Sequence, residues 1–118
     1  MSKVIHFEIV ATNPKRAVKF YEKAFGWEIT KWKGPEDYWL CKAGDEDEYG
    51  INGAIKPAKS SSKNIITINS FNLDESVERV KKAGGKIISK IQTVPGIVRF
   101  CRFTDTEGNE LEMSEEIS

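Results

Sequence analysis

The sequence has few of the residues that most often carry catalysis or covalent cross-links. Among its 118 residues there are one histidine and two cysteines. The cysteines, Cys41 and Cys101, lie in strand-like segments without Cys-x-x-Cys spacing, which is typical of reduced thiols in a cytoplasmic protein. Their spacing leaves a disulfide between them open.

Excess charge and long apolar runs are also absent. Eighteen basic and eighteen acidic side chains cancel, so the chain lacks the basic excess of a nucleic-acid-binding protein. The longest apolar runs are too short to cross a bilayer, and the first ten residues lack the apolar stretch of a signal peptide. The sequence therefore predicts a cytoplasmic protein with small-molecule or protein partners, and no nucleic-acid or membrane partner.

The chain contains an internal repeat. Residues Asn13–Ile29 align without a gap on Asn72–Ile88, an offset of 59 residues (72 minus 13), and the copies share Asn, Val, Lys, Ala, Gly and Ile at six positions. Each copy predicts a helix that begins after its asparagine and ends at a glycine. Apolar residues recur at helical spacing in both copies, so we expect both helices to pack on a sheet.

Alternating segments precede both helices. Phe7 and Ile9 should lie under the first helix, and His6 and Glu8 on the opposite face of their strand. Further strand candidates follow the helices, so each half is predicted to be β-α-β-β-β in a single α+β domain. The expected boundaries are a first module at 1–55, a polar linker at 56–63 and a second module at 64–118.

Two motifs suggest a family. The first half contains FYEKAFGW and the second ends in DTEGNELEM. Tandem β-α-β-β-β halves with these motifs resemble the vicinal oxygen chelate superfamily, which includes glyoxalase I, bleomycin-resistance proteins and extradiol dioxygenases. The resemblance implies a curved mixed sheet that forms a cup around a metal and a small ligand. It also implies a homodimer, because the family commonly completes its cups by pairing modules.

The family usually places its metal ligands on the first and last strands of each half. Here those positions include His6 and Glu112. The offset of 59 residues gives Ile65, or Ile66 with a slip of one, as the counterpart of His6, and Gly53 as the counterpart of Glu112. Two of the four expected positions therefore hold no side chain that binds a metal.

A reduced metal site has one further candidate ligand. Glu8 shares a strand face with His6, so a set of His6, Glu8 and Glu112 for Zn, Ni, Mn or Fe is one hypothesis. A single histidine excludes a site with two histidines and one carboxylate. The other hypothesis is that His6 and Glu112 face each other in a polar cup without metal. Glu112 is in either case the candidate catalytic residue.

The predicted function follows from the resemblance. We expect a small-molecule-binding domain with lyase or isomerase-type chemistry on an oxygenated compound, in which Glu112 acts as ligand or base. The missing ligand positions argue against a typical glyoxalase I. The alternative is a protein that sequesters an antibiotic-type molecule without chemistry. Several aromatic residues of the strands are expected at the cup wall or in the core: Trp27, Trp32, Tyr38, Trp39, Phe100 and Phe103.

Overall fold

The computed structural model describes residues 1–117, which form an α+β fold, as predicted. Two compact units divide the chain: the N unit is His6–Asn64, and the C unit comprises Met1–Ile5 with the residues from Ile65 onward. Within residues 1–117, no helix is long and apolar enough to span a membrane. The elements are β1 (Val4–Ala11), α1 (Pro14–Phe25), β2 (Glu28–Lys31), β3 (Trp39–Lys42), β4 (Gly53–Pro57), β5 (Ile65–Asn69), α2 (Leu73–Lys82), β6 (Lys86–Ile87), β7 (Gln92–Val94), β8 (Val98–Thr104) and β9 (Glu110–Glu116).

The strands of the N unit follow the order β2-β3-β4-β1. β1 and β4 are parallel, and β3 is antiparallel to both β2 and β4. β4 extends to Pro57, two residues into the segment expected to be the linker.

α1 begins and ends as its sequence predicts. The Asn13 side chain accepts a hydrogen bond from the Arg16 N–H (3.1 Å), which satisfies one of the free donors of the first turn. At the other end, Gly26 adopts φ 73° and its N–H donates to the Glu22 carbonyl (3.0 Å). This left-handed conformation favours glycine, so the helix ends there.

Aromatic contacts join α1 to the sheet of the N unit. The Tyr21 ring stacks on Trp27 at a centroid distance of 4.7 Å, and Trp27 contacts Phe7 of β1 at 5.6 Å. Phe7 therefore faces α1, as predicted. Because side chains alternate along a strand, His6 and Glu8 lie on the other face of β1.

The strands of the C unit follow the order β5-β9-β8-β6, and β7 pairs with β8. The Asn72 side chain caps α2 by accepting from the Glu75 N–H (3.1 Å). A buried cluster under α2 contains Leu73, Cys101, Phe103 and Met113. Since Met113 belongs to this core, its neighbour Glu112 lies on the opposite face of β9.

β7 is a strand that the sequence pattern did not predict. It forms a hairpin with β8 in which Val94 pairs with Val98. The turn is closed by a hydrogen bond from the Ile97 N–H to the Val94 carbonyl (3.0 Å), with Gly96 at φ 75°. Three residues are too few to show a clear alternation, so only the Pro95-Gly96 turn could have indicated this strand.

The strand registers correct the repeat arithmetic. Glu8 pairs with Ala54 in the N unit, whereas Thr67, the repeat counterpart of Glu8, pairs with Glu112 in the C unit. The structural counterpart of Glu112 is thus Ala54, and the assignment of Gly53 was wrong by one residue. A single extra residue between the repeats' strands moves every side chain to the other face. Gly53 instead shares the α1 face with Phe7.

Candidate functional site

Four polar side chains of the N unit form a connected group, which we call the His6 cluster: His6, Glu8, Tyr38 and Lys56. His6 Nε2 lies 2.9 Å from the Tyr38 hydroxyl oxygen. That hydroxyl donates to Glu8 Oε2 at 2.8 Å, and Lys56 Nζ lies 2.9 Å from Glu8 Oε1. An unbroken path of polar contacts therefore runs from an imidazole to an ammonium group.

The strand register brings these side chains together. Glu8 pairs with Ala54 of β4, and Ala54 pairs with Leu40 of β3, so the three share one face. Tyr38 lies two residues before Leu40, and Lys56 lies two residues after Ala54. Both therefore project on the face of Glu8, opposite α1.

Glu8 is held as a carboxylate. Its side chain is 11% exposed and that of Lys56 is 25% exposed. Burial alone would raise the pKa of Glu8, but the hydrogen bond and charge of Lys56, the Tyr38 hydroxyl and His6 together outweigh burial and lower that pKa. Both oxygens already have contacts within the N unit, so Glu8 is better suited to orient its neighbours than to bind a metal.

Only one of the two ring nitrogens of His6 makes a hydrogen bond with the residues that the structure describes. Nε2 contacts Tyr38, while Nδ1 makes no hydrogen bond with any residue from 1 to 117. Burial lowers the pKa of His6, and the charge of Glu8 opposes that effect only in part. The imidazole is therefore mainly neutral at pH 7 and presents a lone pair.

We expect a His6 pKa below 6.5, and a lower one in Glu8→Gln, because the substitution removes the charge that supports the imidazolium. When a histidine has a lower pKa in the folded state than in the unfolded state, the folded protein loses stability as the pH falls below the unfolded-state pKa. His6 should therefore reduce the unfolding free energy as the pH falls below about 6.5. Proton NMR can follow the single imidazole directly; a pKa above 6.5 would contradict the burial argument.

Trp32 supports Tyr38. The backbone N–H of Trp32 donates to the backbone carbonyl of Tyr38 (2.7 Å), and the two rings meet edge to face at 6.2 Å. A Cβ at Gly34 would overlap the Trp32 indole, so the ring packs closely over that glycine. Trp32 thereby limits the positions open to the Tyr38 ring.

The aromatic residues expected at the cup wall or in the core lie in different places. Tyr38 belongs to the His6 cluster, and Trp32 packs beside it. Trp27 packs between Phe7 and Tyr21 beneath α1, and Phe103 lies in the core of the C unit. These last two rings stabilise the fold.

Glu112 lies in the C unit. It is buried, and it pairs with Thr67 of β5 on one side and Arg102 of β8 on the other. Thr67 Oγ1 is buried and has no hydrogen-bond partner within residues 1–117. Burial raises the pKa of Cys101, and the Glu112 charge adds to that effect. That Glu112 faces His6 stays a prediction.

The donor set does not fit a metal centre of the kind implied by the resemblance. Ala54 and Ile65 hold two of the expected positions and have apolar side chains. Glu8 uses both oxygens in contacts with Tyr38 and Lys56. Across the part of the chain that the structure describes, no three His, Cys, Asp or Glu side chains are placed to hold a metal ion.

Strand alternation predicts that His6 and Glu8 share a face, but it does not indicate Tyr38 and Lys56 as their partners. The sequence predicts Lys56 to lie in the linker and Tyr38 to be one of several aromatic residues at the cup wall or in the core. The spacing of Lys56 from Ala54 was the available signal, but its use required the pairing of β1 with β4.

Relatives in sequence agree with the motifs. A protein from Didymella fabae described as a glyoxylase-like domain-containing protein is 34% identical over 113 residues, which cover 86% of this chain and 84% of that protein. A probable chloroplastic lactoylglutathione lyase of Arabidopsis thaliana is 32% identical over 70% of this chain. A lactoylglutathione lyase of Oryza sativa subsp. japonica is 32% identical over 79%. The chain spans 26% and 37% of the lengths of these two plant enzymes.

Solved structures share the fold. A methylmalonyl-CoA epimerase in complex with methylmalonyl-CoA and NH4+ matches with a TM-score of 0.76 and 14% identity, covering all of this chain and 96% of the other. The enzyme of the same name from Mycobacterium tuberculosis matches with a TM-score of 0.75 and 12% identity, covering 98% and 88%. The family profile matches residues 3–113, and the chain belongs to the Glyoxalase/Bleomycin resistance protein/Dioxygenase superfamily.

Proposed function

We propose that the chain binds a small carbonyl compound against the His6 cluster and transfers a proton on it, in a reaction of the lyase or isomerase type. The observation that carries this proposal is the partly buried path of polar contacts from Lys56 through Glu8 and Tyr38 to His6. It ends on a neutral imidazole with an uncommitted nitrogen. A general base needs both a lone pair and a pKa near the working pH.

The relatives support this class of ligand. Lactoylglutathione and methylmalonyl-CoA, named for the plant lyases and the structural neighbours, are both thioesters with a hydrogen on the carbon beside the carbonyl group. Removal of that hydrogen gives an enolate whose negative charge needs stabilisation. His6 is the proposed base, and Glu112 of the C unit is a second candidate for acid or base.

Solvent isotope exchange tests the proposal. The protein is incubated in D2O with methylmalonyl-CoA or S-lactoylglutathione, and mass spectrometry measures deuterium gained by the recovered thioester. We expect exchange with at least one compound, and a loss of about 100-fold or more in His6→Gln. The control variant is Lys59→Gln, an exposed residue outside the cluster. Exchange that persists in His6→Gln would exclude His6 as the base.

The alternative is sequestration without chemistry. The contacts to both oxygens of Glu8 favour it, because a carboxylate held by its neighbours can orient a ligand without transferring a proton. Saturable binding of either thioester by calorimetry, with no deuterium incorporation, would support this alternative and contradict the catalytic proposal.

The sequence leaves open whether the site binds a metal ion. We expect no stoichiometric Zn, Ni, Mn or Fe at micromolar concentration in protein purified without chelator, because Ala54 and Ile65 offer no donor atom and Glu8 is committed. For the same reason we expect no lyase turnover with methylglyoxal and glutathione above background. Stoichiometric metal that is lost in His6→Ala would overturn this view. Cytoplasmic location and a homodimer remain predictions.

A further inference from the structure

We infer that Glu8 and Tyr38 are positioning residues that keep the His6 proton on Nε2 and so present Nδ1 as a proton acceptor to the ligand. The geometry on which this depends is the row of three contacts at 2.9, 2.8 and 2.9 Å between Lys56, Glu8, Tyr38 and His6. The position of the proton on Nε2 is independent of the proposed function, whereas the presence of a ligand at Nδ1 rests on it.

The direction of each hydrogen bond follows from the donors present. The ion pair with Lys56 keeps Glu8 a carboxylate, and a carboxylate only accepts hydrogen bonds. The Tyr38 hydroxyl has one hydrogen, which it donates to Glu8 Oε2. Its oxygen can then only accept from His6, and His6 Nε2 must carry the proton.

The opposite tautomer would place two lone pairs against each other. With the proton on Nδ1, the Nε2 lone pair would face the Tyr38 oxygen inside a partly buried group. The missing hydrogen bond between Nε2 and the Tyr38 oxygen has a substantial energetic cost, so the tautomer with the proton on Nε2 should be favoured roughly tenfold or more. The direction set by the Glu8 carboxylate is thus transmitted through Tyr38 to the imidazole.

The position of the His6 proton defines which chemical group of a ligand can contact Nδ1. Nδ1 accepts a proton and does not donate one, so the group that meets it is a hydroxyl or a C–H acidified by a neighbouring carbonyl. A bare carboxylate would meet a lone pair and would be disfavoured there. The two thioesters named above both provide such a group.

The tautomer can be measured without any ligand. Nitrogen-15 NMR of histidine-labelled protein at about pH 8, where the imidazole is neutral, distinguishes the two ring nitrogens, and His6 is the only histidine. We expect the proton on Nε2 in the wild type. Because the chain has one histidine, no assignment is needed.

Glu8→Gln is the decisive variant. Its amide oxygen should face Lys56, which has no acceptor, and its NH2 group should then donate to the Tyr38 oxygen. The Tyr38 hydroxyl would in turn donate to His6 Nε2, and the histidine proton should move to Nδ1. The matched control is Glu22→Gln on the exposed side of α1, which should retain the wild-type pattern.

Tyr38→Phe is the second variant and does not depend on the first. It should retain the fold but lose the hydrogen-bonded Nε2–H signal through faster exchange with water. A wild-type proton on Nδ1, or an unchanged tautomer in folded Glu8→Gln, would overturn the inference. Failed isotope exchange with a confirmed tautomer would instead count against the proposed function alone.

Discussion

Lys56→Met is expected to reduce the unfolding free energy by about 2–4 kcal/mol at pH 7. The substitution keeps the apolar length of the side chain and removes the charge that lies 2.9 Å from Glu8 Oε1. Glu8 is 11% exposed, so water replaces the lost partner poorly. Urea denaturation followed by circular dichroism measures the change.

The loss should depend on pH. The folded pKa of Glu8 is lowered, so its stabilising contribution is present above the ordinary value of 4.5 and is lost as the pH falls through the folded value. Wild type and Lys56→Met should therefore differ most above about pH 5 and converge in acid. Lys59→Met, on an exposed residue, should change stability by less than about 0.5 kcal/mol. An equal loss in both variants would show that the ion pair contributes nothing.

Gly53→Ala is expected to reduce the unfolding free energy by about 1–3 kcal/mol. A Cβ at this position would overlap the carbonyl oxygen and the ring of Phe7. The carbonyl belongs to the paired strand, so relief would require movement of β1 against β4. Thermal denaturation monitored by circular dichroism gives the size of the effect.

Gly44→Ala is the matched control. A Cβ there would lie 3.2 Å from the end of the flexible Glu48 side chain, which can move aside. A stable Gly53→Ala variant would contradict the register in which Gly53 lies beneath Phe7. It would then restore Gly53 as a candidate for the face that carries His6.

Local sequence signals predicted much of the fold. Asn13 and Gly26 mark the ends of α1 because a side-chain cap and a left-handed glycine act within a few residues. Alternation placed Phe7 towards the helix, and the Trp27 contact confirms it. Such features depend only on neighbours in the chain.

The pairing register between strands could not be predicted from local sequence signals. The offset of 59 residues predicts Gly53 as the counterpart of Glu112. The strand registers show that the counterpart is Ala54. The same register makes Lys56 a partner of Glu8. A shift of one residue leaves the alternation intact but exchanges the two faces, so the composition of the site depended on information that periodicity does not contain.

The structure changes the role of Glu8 in the proposed site. The sequence suggests Glu8 as a candidate third metal ligand, whereas its contacts make it the link between Lys56 and Tyr38. Tyr38 in turn connects that carboxylate to His6. Hydrogen bonds and an ion pair among this chain's own side chains therefore hold the cluster together.

The most direct test of the account is the imidazole NMR signal of His6 during titration with methylmalonyl-CoA and with S-lactoylglutathione. If the His6 cluster is the ligand site, the signal of this single histidine should shift saturably with at least one compound, and calorimetry should give the same dissociation constant. Saturating binding by calorimetry with an unchanged His6 signal would place the ligand elsewhere and contradict the account.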